Sequence, residues 1–290
     1  MLEEQHPDLA DREIRFADSG WDNFMFRLGE DLALRLPRRQ AGVDCLLHEQ
    51  RVLPLLAPRL PLPTSAPVRT GQPGRGYPWP WSVIPWRAGR TADLDAPNPS
   101  QGVVLADFLR ALHQPAEANA PSNPVRGVPL IERDATIAPH LARLKQETDL
   151  ITPGIEAAWA AAVEAPLSHV DCWLHGDLHP RNVLVVDGAI SAIVDWGDIT
   201  SGDVATDLAA IWMLLEDEQA RAAALDRYAD PGANGPPSAE LLNEATRVRA
   251  LGSAIAFGAV LLNTGLVDDP RHAEIGRKTL FRVEEDLGSS

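Results

Sequence analysis

The segment that decides the fold is Trp173-Leu-His-Gly-Asp-Leu-His-Pro-Arg-Asn-Val-Leu-Val185, which is followed by Ile193-Val-Asp-Trp-Gly-Asp198. In both segments polar residues form a tight group between short apolar runs, a pattern typical of polar loops between buried strands. Asp177 can accept a proton, while Asn182 offers an amide oxygen and Asp195 a carboxylate. Because Mg²⁺ prefers hard oxygen ligands, we predict that the last two residues hold this ion. Asp177 is then left to orient and deprotonate a hydroxyl nucleophile.

Outward from this segment, the N-terminal part of the chain is predicted to be rich in β-structure. Residues 14–36 contain three short alternating runs separated by two turn signals, which predicts an antiparallel sheet. Apolar residues at helical spacing predict a helix over 42–56, and the Pro- and Gly-rich stretch 58–80 predicts an extended loop. A buried strand is expected at 81–84, before a break at 85–89 that contains Pro and Gly.

The C-terminal part is predicted to be mainly helical, with a long loop at 115–129. Its expected helices are about 101–114, 132–149, 153–164, 203–228, 238–263 and 270–286. Short β runs are expected at 172–174, 183–186 and 190–194, with a hairpin turn between the last two. We therefore predict an α+β fold of two lobes: a small β-rich N-terminal lobe over 1–86, a hinge at about 84–89, and a larger helical lobe over 87–290.

Composition and charge exclude several classes of protein. With 290 residues, 45% of them hydrophobic, the chain is long enough for two domains or lobes and is not globally disordered. The formal net charge of −15 argues against nucleic acid or an anionic membrane as partner, because phosphate attraction needs a positive surface. A neutral or cationic small molecule fits this charge better.

Further features favour a soluble cytoplasmic protein. Cys45 and Cys172 are the only cysteines, which is too few for a disulfide framework. The acidic start Met1-Leu-Glu-Glu4 has no apolar core behind it, so we expect no signal peptide. The longest apolar stretch, about 250–262, is shorter than the roughly 20 residues that a bilayer requires.

The Asp177 segment resembles the catalytic loop of kinases, His/Arg-x-Asp-x-x-x-x-Asn followed by a metal-binding Asp. More narrowly, three motifs in order resemble the aminoglycoside phosphotransferase family: His175-Gly-Asp177-Leu-His-Pro-x-Asn182, Asp195-Trp-Gly-Asp198 and Gly202-Asp203-x-x-x-Asp207-Leu-Ala. The resemblance extends through most of the chain and implies a protein-kinase-like bilobal fold. It also implies an Mg²⁺-dependent transfer of the γ-phosphate of ATP or GTP to a hydroxyl of a small molecule.

The resemblance also assigns roles to residues of these motifs. Asp177 is implied to be the catalytic base, and Asn182 and Asp195 the Mg²⁺ ligands that bridge to the nucleotide phosphates. Other residues are expected to support the loop or to lie outside the chemistry, namely His175, Asp203 as a helix cap, Asp207 through hydrogen bonds to the catalytic loop, and a packed His113. The role of Arg181 is open: its side chain could reach a phosphate or an acidic neighbour, and an exposed side chain is favoured. Asp198 has two open roles, a solvated acid or an outer contact of the metal.

Two groups of upstream residues are implied to contact the nucleotide phosphates. Ser19, Gly20 and Asn23 belong to a turn that resembles the phosphate-covering hairpin of the family, in which backbone N–H groups face the phosphates. The N-terminal lobe contains no lysine, and Arg35 takes the place that lysine has in protein kinases. Glu49 is the expected ion-pair partner of Arg35. The neighbouring Arg38 and Arg39 are rival phosphate contacts, although solvated side chains are favoured there.

Residues Ile84 through Arg87 match the inter-lobe hinge, where adenine bonds to backbone groups. Because Pro85 has no N–H, the donor is expected to come from Trp86 or Arg87.

The acceptor is predicted less closely than the reaction. An aminoglycoside-like antibiotic is favoured, because acidic residues of the C-terminal helices could line a pocket for a cation, although they could equally be solvated helix ends: Glu216, Asp217, Glu218, Asp268 and Asp269. A macrolide would need an apolar pocket, to which Trp159, Trp212 and Phe257 could contribute if they are not core residues. A homoserine- or choline-like metabolite stays open, and nothing in the sequence indicates the oligomeric state.

Two functions of other classes compete with this prediction. His175-x-Asp177-x-His179 could bind the metal of a hydrolase, but no second His-rich segment supplies further ligands. A nucleotide-binding module without catalysis is the other alternative, although Asp177, Asn182 and Asp195 are all retained.

Overall fold

Five antiparallel strands form the N-terminal sheet of the computed structural model, which describes residues 1–20, 22–168, 170–230, 232 and 242–288. The strands are β1 (Ile14–Ser19), β2 (Asn23–Leu28), β3 (Leu32–Pro37), β4 (Arg69–Gly71) and β5 (Trp81–Pro85), in the order β1-β2-β3-β5-β4. The three runs predicted within 14–36 are confirmed as strands joined by two hairpins. The stretch 58–80 is mostly loop, as predicted, and it includes the short strand β4, which pairs with β5.

Two α-helices belong to this region. α1 (Leu2–Gln5) precedes the sheet and α2 (Gln40–Leu56) follows β3. The buried side of α2 is mostly apolar, as the helical spacing predicts, but it also carries Glu49, which has no exposed surface. The helix therefore brings one acidic side chain into the interior beside β3.

The described C-terminal region contains the remaining α-helices. They are α3 (Gln101–Leu112), α4 (Leu130–Glu147), α5 (Pro153–Glu164), α6 (Ala205–Leu208), α7 (Ala210–Leu214), α8 (Glu218–Ala229), α9 (Glu244–Gly265) and α10 (Pro270–Gly288). Most predicted helices are confirmed with ends shifted by about two residues. The fold is thus α+β, as predicted, with a β-rich N-terminal region and a helical C-terminal region; the exact lobe boundary at 86/87 stays a prediction.

The single helix predicted over 203–228 is wrong. The chain forms α6, α7 and α8 instead, because Leu215 and Asp217 adopt extended backbone between α7 and α8. Asp217 accepts a hydrogen bond from the backbone N–H of Ala220 (2.8 Å) and so begins α8 as its N-cap. The helix predicted over 238–263 begins at Glu244, and residues 238–241 lie outside the described residues.

Helix α9 lies in the middle of the C-terminal region and packs against α4, α5, α6 and α10. At 22 residues it is long and apolar enough to cross a membrane by length and composition, so the expectation that the apolar stretch is too short is wrong. Of its most apolar window, 67% is buried inside the protein, as in a core helix.

Two small antiparallel sheets carry the polar loops. β7 (Cys172–Leu174) pairs with β10 (Thr200–Gly202), and β8 (Val183–Val186) lies between β6 (Arg90–Thr91) and β9 (Ala189–Ile193). The predicted β8–β9 hairpin is confirmed, and its two central residues, Asp187 and Gly188, have φ angles of 51° and 76°. Two successive positive φ values match the right-handed twist of the strands in such a turn.

Candidate active site

The loop after β7 is held by a buried carboxylate. Asp207 of α6 accepts hydrogen bonds from the backbone N–H groups of His175 (2.7 Å) and Gly176 (2.9 Å). Burial alone would raise the pKa of Asp207, but His113, whose Nε2 lies 3.4 Å from it, and the other hydrogen bonds lower it. The expected bonds from Asp207 to this loop are therefore present, and His113 is fully buried, as expected.

The ring of His175 supports the same loop. Its Nε2 lies 3.0 Å from the backbone oxygen of Val194, and its Nδ1 accepts a hydrogen bond from the N–H of Asp177 (3.3 Å). Both ring nitrogens are thus engaged with backbone groups, which leaves neither of them for a metal. Gly176 has a φ of 84°, and a Cβ at this position would lie 2.5 Å from the Asp198 carbonyl oxygen, so only glycine fits.

Asp177 lies at the tip of this loop, between two basic side chains. Arg126 Nη2 donates a hydrogen bond to its Oδ1, and His179 Nε2 lies 3.4 Å from its Oδ2. Although burial acts to raise the pKa of Asp177, Arg126 and His179 hold it well below the ordinary value. Asp177 is therefore a carboxylate at neutral pH and can accept a proton.

Asn182 and Asp195 lie at the ends of neighbouring strands. Asn182 Nδ2 donates to the backbone oxygen of Asp177 (2.8 Å), and the N–H of Val194 donates to the backbone oxygen of Asn182 (2.9 Å). The amide oxygen of Asn182 therefore stays available, and the side chain of Asp195, which has a φ of 57°, is 57% exposed. One amide oxygen and one exposed carboxylate are a donor set that fits Mg²⁺.

No group of three or more His, Cys, Asp and Glu side chains within the described residues is arranged to hold a metal ion. The Mg²⁺ site predicted from Asn182 and Asp195 would therefore need water and nucleotide oxygens to complete its coordination.

Arg35 connects β3 to these loops. Its guanidinium bonds to Glu49 of α2, and its Nη2 donates to Asp195 Oδ1 (2.6 Å). With the amide of Asn23 oriented so that its oxygen faces Arg35, Asn23 accepts hydrogen bonds from Arg35 Nε (3.1 Å) and Nη2 (3.2 Å). The expected Arg35–Glu49 ion pair is thus present, and three predicted site residues meet on one guanidinium.

The β1–β2 turn is a hairpin, but its backbone donors are not arranged as expected. The N–H of Ser19 donates to Asp18 Oδ1 (2.7 Å), and the N–H of Gly20 donates to the backbone oxygen of Asn23 (3.0 Å). These two N–H groups are used within the hairpin, so phosphates could bind them only by displacing these bonds, and the phosphate-facing role stays a prediction. Trp21 lies outside the described residues.

Arg38 and Arg39 are bound to this hairpin instead of being only solvated. Arg38 Nη1 donates to the backbone oxygen of Gly20 (3.1 Å), and Arg39 Nε donates to Asp22. The sequence interpretation missed this role because the partners are about 17 residues away.

In the hinge region, the backbone N–H groups of Trp86 and Arg87 are the predicted alternatives for the donor to adenine. Ile84 pairs with Ala33 of β3, and the N–H of Trp86 donates to the backbone oxygen of Asp31 (2.8 Å). The N–H of Trp86 is therefore engaged within the protein, and a donor to adenine from Trp86 or Arg87 stays a prediction. Arg87 donates through its side chain to the oxygen of Thr64 (2.7 Å), while its backbone N–H donates to no other backbone group among the described residues.

Arg181 contacts an acidic neighbour, one of its predicted alternatives, and is only partly exposed. Its Nη1 donates to Asp269 Oδ2 (2.6 Å) and lies 2.8 Å from His272 Nε2.

Asp198, whose role was open, accepts a hydrogen bond from Asn123 Nδ2 (2.8 Å), and burial together with the nearby Asp177 raises its pKa. Asp203 accepts a hydrogen bond from the N–H of Ala205 (3.1 Å), close to its predicted role as a cap of α6.

Comparisons with known proteins agree with this arrangement. A family model described as the phosphotransferase enzyme family, APH, matches residues 13–242. No curated protein matches the sequence significantly.

Solved structures share the fold. The GDP complex of wild-type aminoglycoside 2'-phosphotransferase-IIIa has a TM-score of 0.63 at 17% identity, with 100% of this chain and 97% of that chain covered. The macrolide 2'-phosphotransferase MphH from Brachybacterium faecium has a TM-score of 0.57 at 23% identity, with 92% and 91% covered. APH(4)-Ia in a complex with ADP and hygromycin B has a TM-score of 0.55 at 17% identity, with 98% and 96% covered. The chain therefore belongs to the APH phosphotransferase enzyme family and has its kinase-like fold.

Proposed function

We propose that this protein is a kinase that transfers the γ-phosphate of ATP or GTP to a hydroxyl of a small molecule. The observation that carries the proposal is the junction of three loops. Asn182 is hydrogen-bonded to the backbone of Asp177, and Asp195 is bonded to Arg35 (2.6 Å). This arrangement brings together a base, two hard oxygen ligands and a fixed cation.

The chain's own residues supply positioning and charge. Asp177 accepts the proton of the acceptor hydroxyl, and Arg35, held by Glu49, orients the phosphates. Mg²⁺ held by Asn182 and Asp195 would neutralise charge on the phosphate oxygens. Phosphoryl transfer passes through a loose transition state, so placement and electrostatic stabilisation account for most of the catalysis.

Support for a nucleotide and for the acceptor class comes from the neighbours. Their structures contain GDP or ADP, and others are complexes with kanamycin or gentamicin. An aminoglycoside-like acceptor thus stays a proposal, as do ATP versus GTP, a macrolide or a small metabolite as acceptor, and a cytoplasmic location.

The residues expected to select an antibiotic give this choice little support. Glu216 pairs with Lys278 (3.3 Å) and Arg282 (3.2 Å), and Asp269 pairs with Arg181, so two of the five acids are neutralised. Asp217 caps α8.

The aromatic side chains proposed to line a macrolide pocket are also largely engaged in contacts within the protein. Trp159 and Trp212 are buried, and their indole N–H groups donate to Asp134 (2.9 Å) and Asp286 (2.8 Å). Phe257 contacts Arg126.

The two competing functions are less well supported. A metallohydrolase would need His175 as a ligand, and both nitrogens of its ring are engaged with backbone groups. A silent nucleotide-binding module would be expected to lack the base or a metal ligand, and the chain retains all three residues.

The decisive test is the substitution Asp177→Asn. First, nucleotide consumption is screened over aminoglycosides, macrolides and small amino alcohols to find an acceptor. Asp177→Asn should then lower kcat by about 10²- to 10⁴-fold, because proton acceptance is lost, while nucleotide affinity stays within about twofold.

Asp171→Asn, the same change at an exposed position just before β7, is the matched control and should leave kcat unchanged. Turnover near the wild-type level in Asp177→Asn would overturn the assignment of the base.

A further inference from the structure

The loop between α3 and α4 is docked on the catalytic region. The N–H of Asp203 donates to the backbone oxygen of Gly127 (3.0 Å), and the N–H of Ser201 donates to that of Pro121 (3.1 Å). Within the loop, Asn123 Oδ1 accepts hydrogen bonds from the N–H groups of Val125 (2.9 Å) and Arg126 (3.1 Å). Arg126 is therefore placed beside Asp177 by a fixed backbone.

The guanidinium of Arg126 has hydrogen-bonding capacity to spare. One nitrogen, Nη2, holds Asp177, and the carbon Cζ lies 4.8 Å from the centre of the Phe257 ring, which fixes its plane. Nε is buried and has no hydrogen-bond partner among the described residues, and 24% of the side chain is exposed. Because a guanidinium carries five N–H donors in a planar fork, this one can bind a second anion without leaving Phe257.

This contact opposes the use of Asp177 with a neutral or cationic acceptor. Asp177 Oδ1 already accepts a hydrogen bond from Arg126. An acceptor hydroxyl that takes the place of Arg126 on this oxygen must break a charge-assisted hydrogen bond. A neutral acceptor offers Arg126 no replacement, and an ammonium group would repel it. A carboxylate on the acceptor gives the guanidinium a new partner while the hydroxyl takes the freed oxygen of Asp177.

The charges around Asp177 favour the same class of acceptor. His179 lies on its other oxygen, and Arg181 neutralises Asp269 (2.6 Å). Asp198 is held by Asn123. Beside the base, Asp269 is thus paired with a cation and Asp198 is held by a neutral amide, whereas an acceptor carboxylate would meet the guanidinium of Arg126.

We propose, on the basis of the kinase function proposed above, that Arg126 binds the acceptor and that this acceptor is a hydroxy acid with a carboxylate near its phosphorylated hydroxyl. In the reaction the hydroxyl oxygen forms a bond to the γ-phosphorus and its proton passes to Asp177. The bond from the γ-phosphorus to the β–γ bridging oxygen breaks, and its electron pair leaves with the nucleoside diphosphate.

The experiment compares acceptors that are matched in size and differ in charge. The sets are gluconate, glucose and glucosamine, and glycerate, glycerol and 3-amino-1,2-propanediol; kanamycin and a macrolide are included, and nucleotide consumption is measured. We expect at least one acid to have a kcat/KM at least tenfold above its neutral and cationic counterparts.

Variants of Arg126 then test the residue itself. Arg126→Gln should raise KM for the acid at least tenfold and leave kcat/KM for the neutral counterpart equal or higher, because the bond that a neutral acceptor must break is gone. Arg126→Lys should partly recover the KM for the acid. Arg143→Gln, on an exposed arginine of α4 that pairs with Glu147 (2.9 Å), is the matched control and should change neither value. Thermal unfolding of each variant shows whether it is folded.

Two results would overturn the inference while the kinase function survives. One is a preference for a neutral or cationic acceptor, including kanamycin or the macrolide. The other is an equal loss of kcat/KM with all acceptors in an Arg126→Gln variant that is folded, because such a loss indicates a structural role. If no compound raises nucleotide consumption above the hydrolysis background, the result instead contradicts the kinase function, and the inference falls with it.

Discussion

Arg35 is hydrogen-bonded to two carboxylates, those of Glu49 and Asp195, and this sharing disfavours the charged form of Glu49. Glu49 is fully buried, one of its oxygens has no hydrogen-bond partner, and Asp195 competes for the same guanidinium. Burial raises the pKa of Glu49 to about 7, although Arg35 acts in the opposite direction. The residue that orients Arg35 therefore loses its proton only close to neutral pH, because its desolvation disfavours the charged form.

We therefore predict that Glu49→Gln stabilises the protein at alkaline pH and lowers activity. Because the folded state keeps the proton of Glu49 from the ordinary pKa of 4.5 up to about 7, the free energy of unfolding falls as pH rises through this window. The variant lacks this loss, so at pH 8 it should be more stable than the wild type by about 2 to 3 kcal/mol, and equally stable near pH 4.5. Urea unfolding at the two pH values measures both differences.

Arg35 is not left unpaired in this variant, because Asp195 still accepts its hydrogen bond. Glu147→Gln, on an exposed carboxylate of α4, is the control and should show no difference between the two pH values. A Glu49→Gln protein that is less stable than the wild type at pH 8 would show that the ion pair outweighs the desolvation.

Asp195 allows a closely matched test of the proposed Mg²⁺ site. Asp195 and Asp187 both have positive φ, 57° and 51°, a conformation that Asn also tolerates. Asp195→Asn should lower kcat by about 10²- to 10³-fold and raise the Mg²⁺ concentration needed for half-maximal activity, because a charged ligand is lost. Asp187→Asn, in the β8–β9 turn, should change neither value. An unchanged Mg²⁺ requirement in Asp195→Asn would exclude this residue as a ligand.

The residues near the reaction differ in how far the sequence could predict them. Asp177, Asn182 and Asp195 lie in short motifs whose spacing reflects the strands on either side, and the structure brings them together as predicted. Arg126 and Asn123 come from a loop without periodicity, and Arg126 meets a partner 51 residues away. Such a contact depends on how the loop docks on β10, which no local pattern encodes.

Among the helices, the error over 203–228 has an identifiable cause. The apolar residues run on through α6 and α7, so periodicity alone gives no reason to end a helix before α8. The signal that was overlooked is Asp217 followed by Glu218, because an acidic N-cap and an acidic first turn are typical of a helix start. Capping chemistry was the better guide to this boundary.

Helices α9 and α10 pack at close range, and glycine makes this possible. A Cβ on Gly276 would lie 2.4 Å from the backbone nitrogen of Leu262 and 2.5 Å from the oxygen of Gly258. We predict that Gly276→Ala lowers the free energy of unfolding by about 1 to 3 kcal/mol, because these backbone atoms can move only if the helices separate. Thermal and urea unfolding measure the change.

Gly288→Ala is the matched control at the end of α10, where a Cβ would meet no atom within 4 Å. Since alanine favours a helix over glycine by up to about 1 kcal/mol, the control should be neutral or slightly stabilising. Equal effects of the two substitutions would show that the helices do not depend on this close approach.

For the whole molecule, the net charge of −15 says little about the acceptor. Many acids are paired with arginine across long distances in sequence, such as Asp203 with Arg249, 46 residues apart, and Asp93 with Arg271, 178 apart. A count of acids cannot show which of them are neutralised in this way. Two basic side chains, Arg126 and His179, lie beside Asp177 although the chain is acidic.

The two halves of the molecule are joined at the proposed nucleotide site. Arg35 and Glu49 come from the N-terminal sheet and α2, whereas Asn182 and Asp195 come from C-terminal loops. The Arg35–Asp195 hydrogen bond (2.6 Å) connects residues 160 positions apart. A nucleotide that contacts both groups is expected to bind only when both halves are folded.

We therefore predict that Mg·ADP stabilises the whole molecule. A ligand that binds only the folded state adds RT ln(1 + [L]/Kd), about 2.7 kcal/mol at a hundredfold excess over Kd. In differential scanning calorimetry, Mg·ADP should shift all of the unfolding heat to higher temperature, and Arg35→Gln should lose most of this shift. A second transition that stays in place would mean that one half unfolds without releasing the nucleotide, so the site would belong to the other half alone.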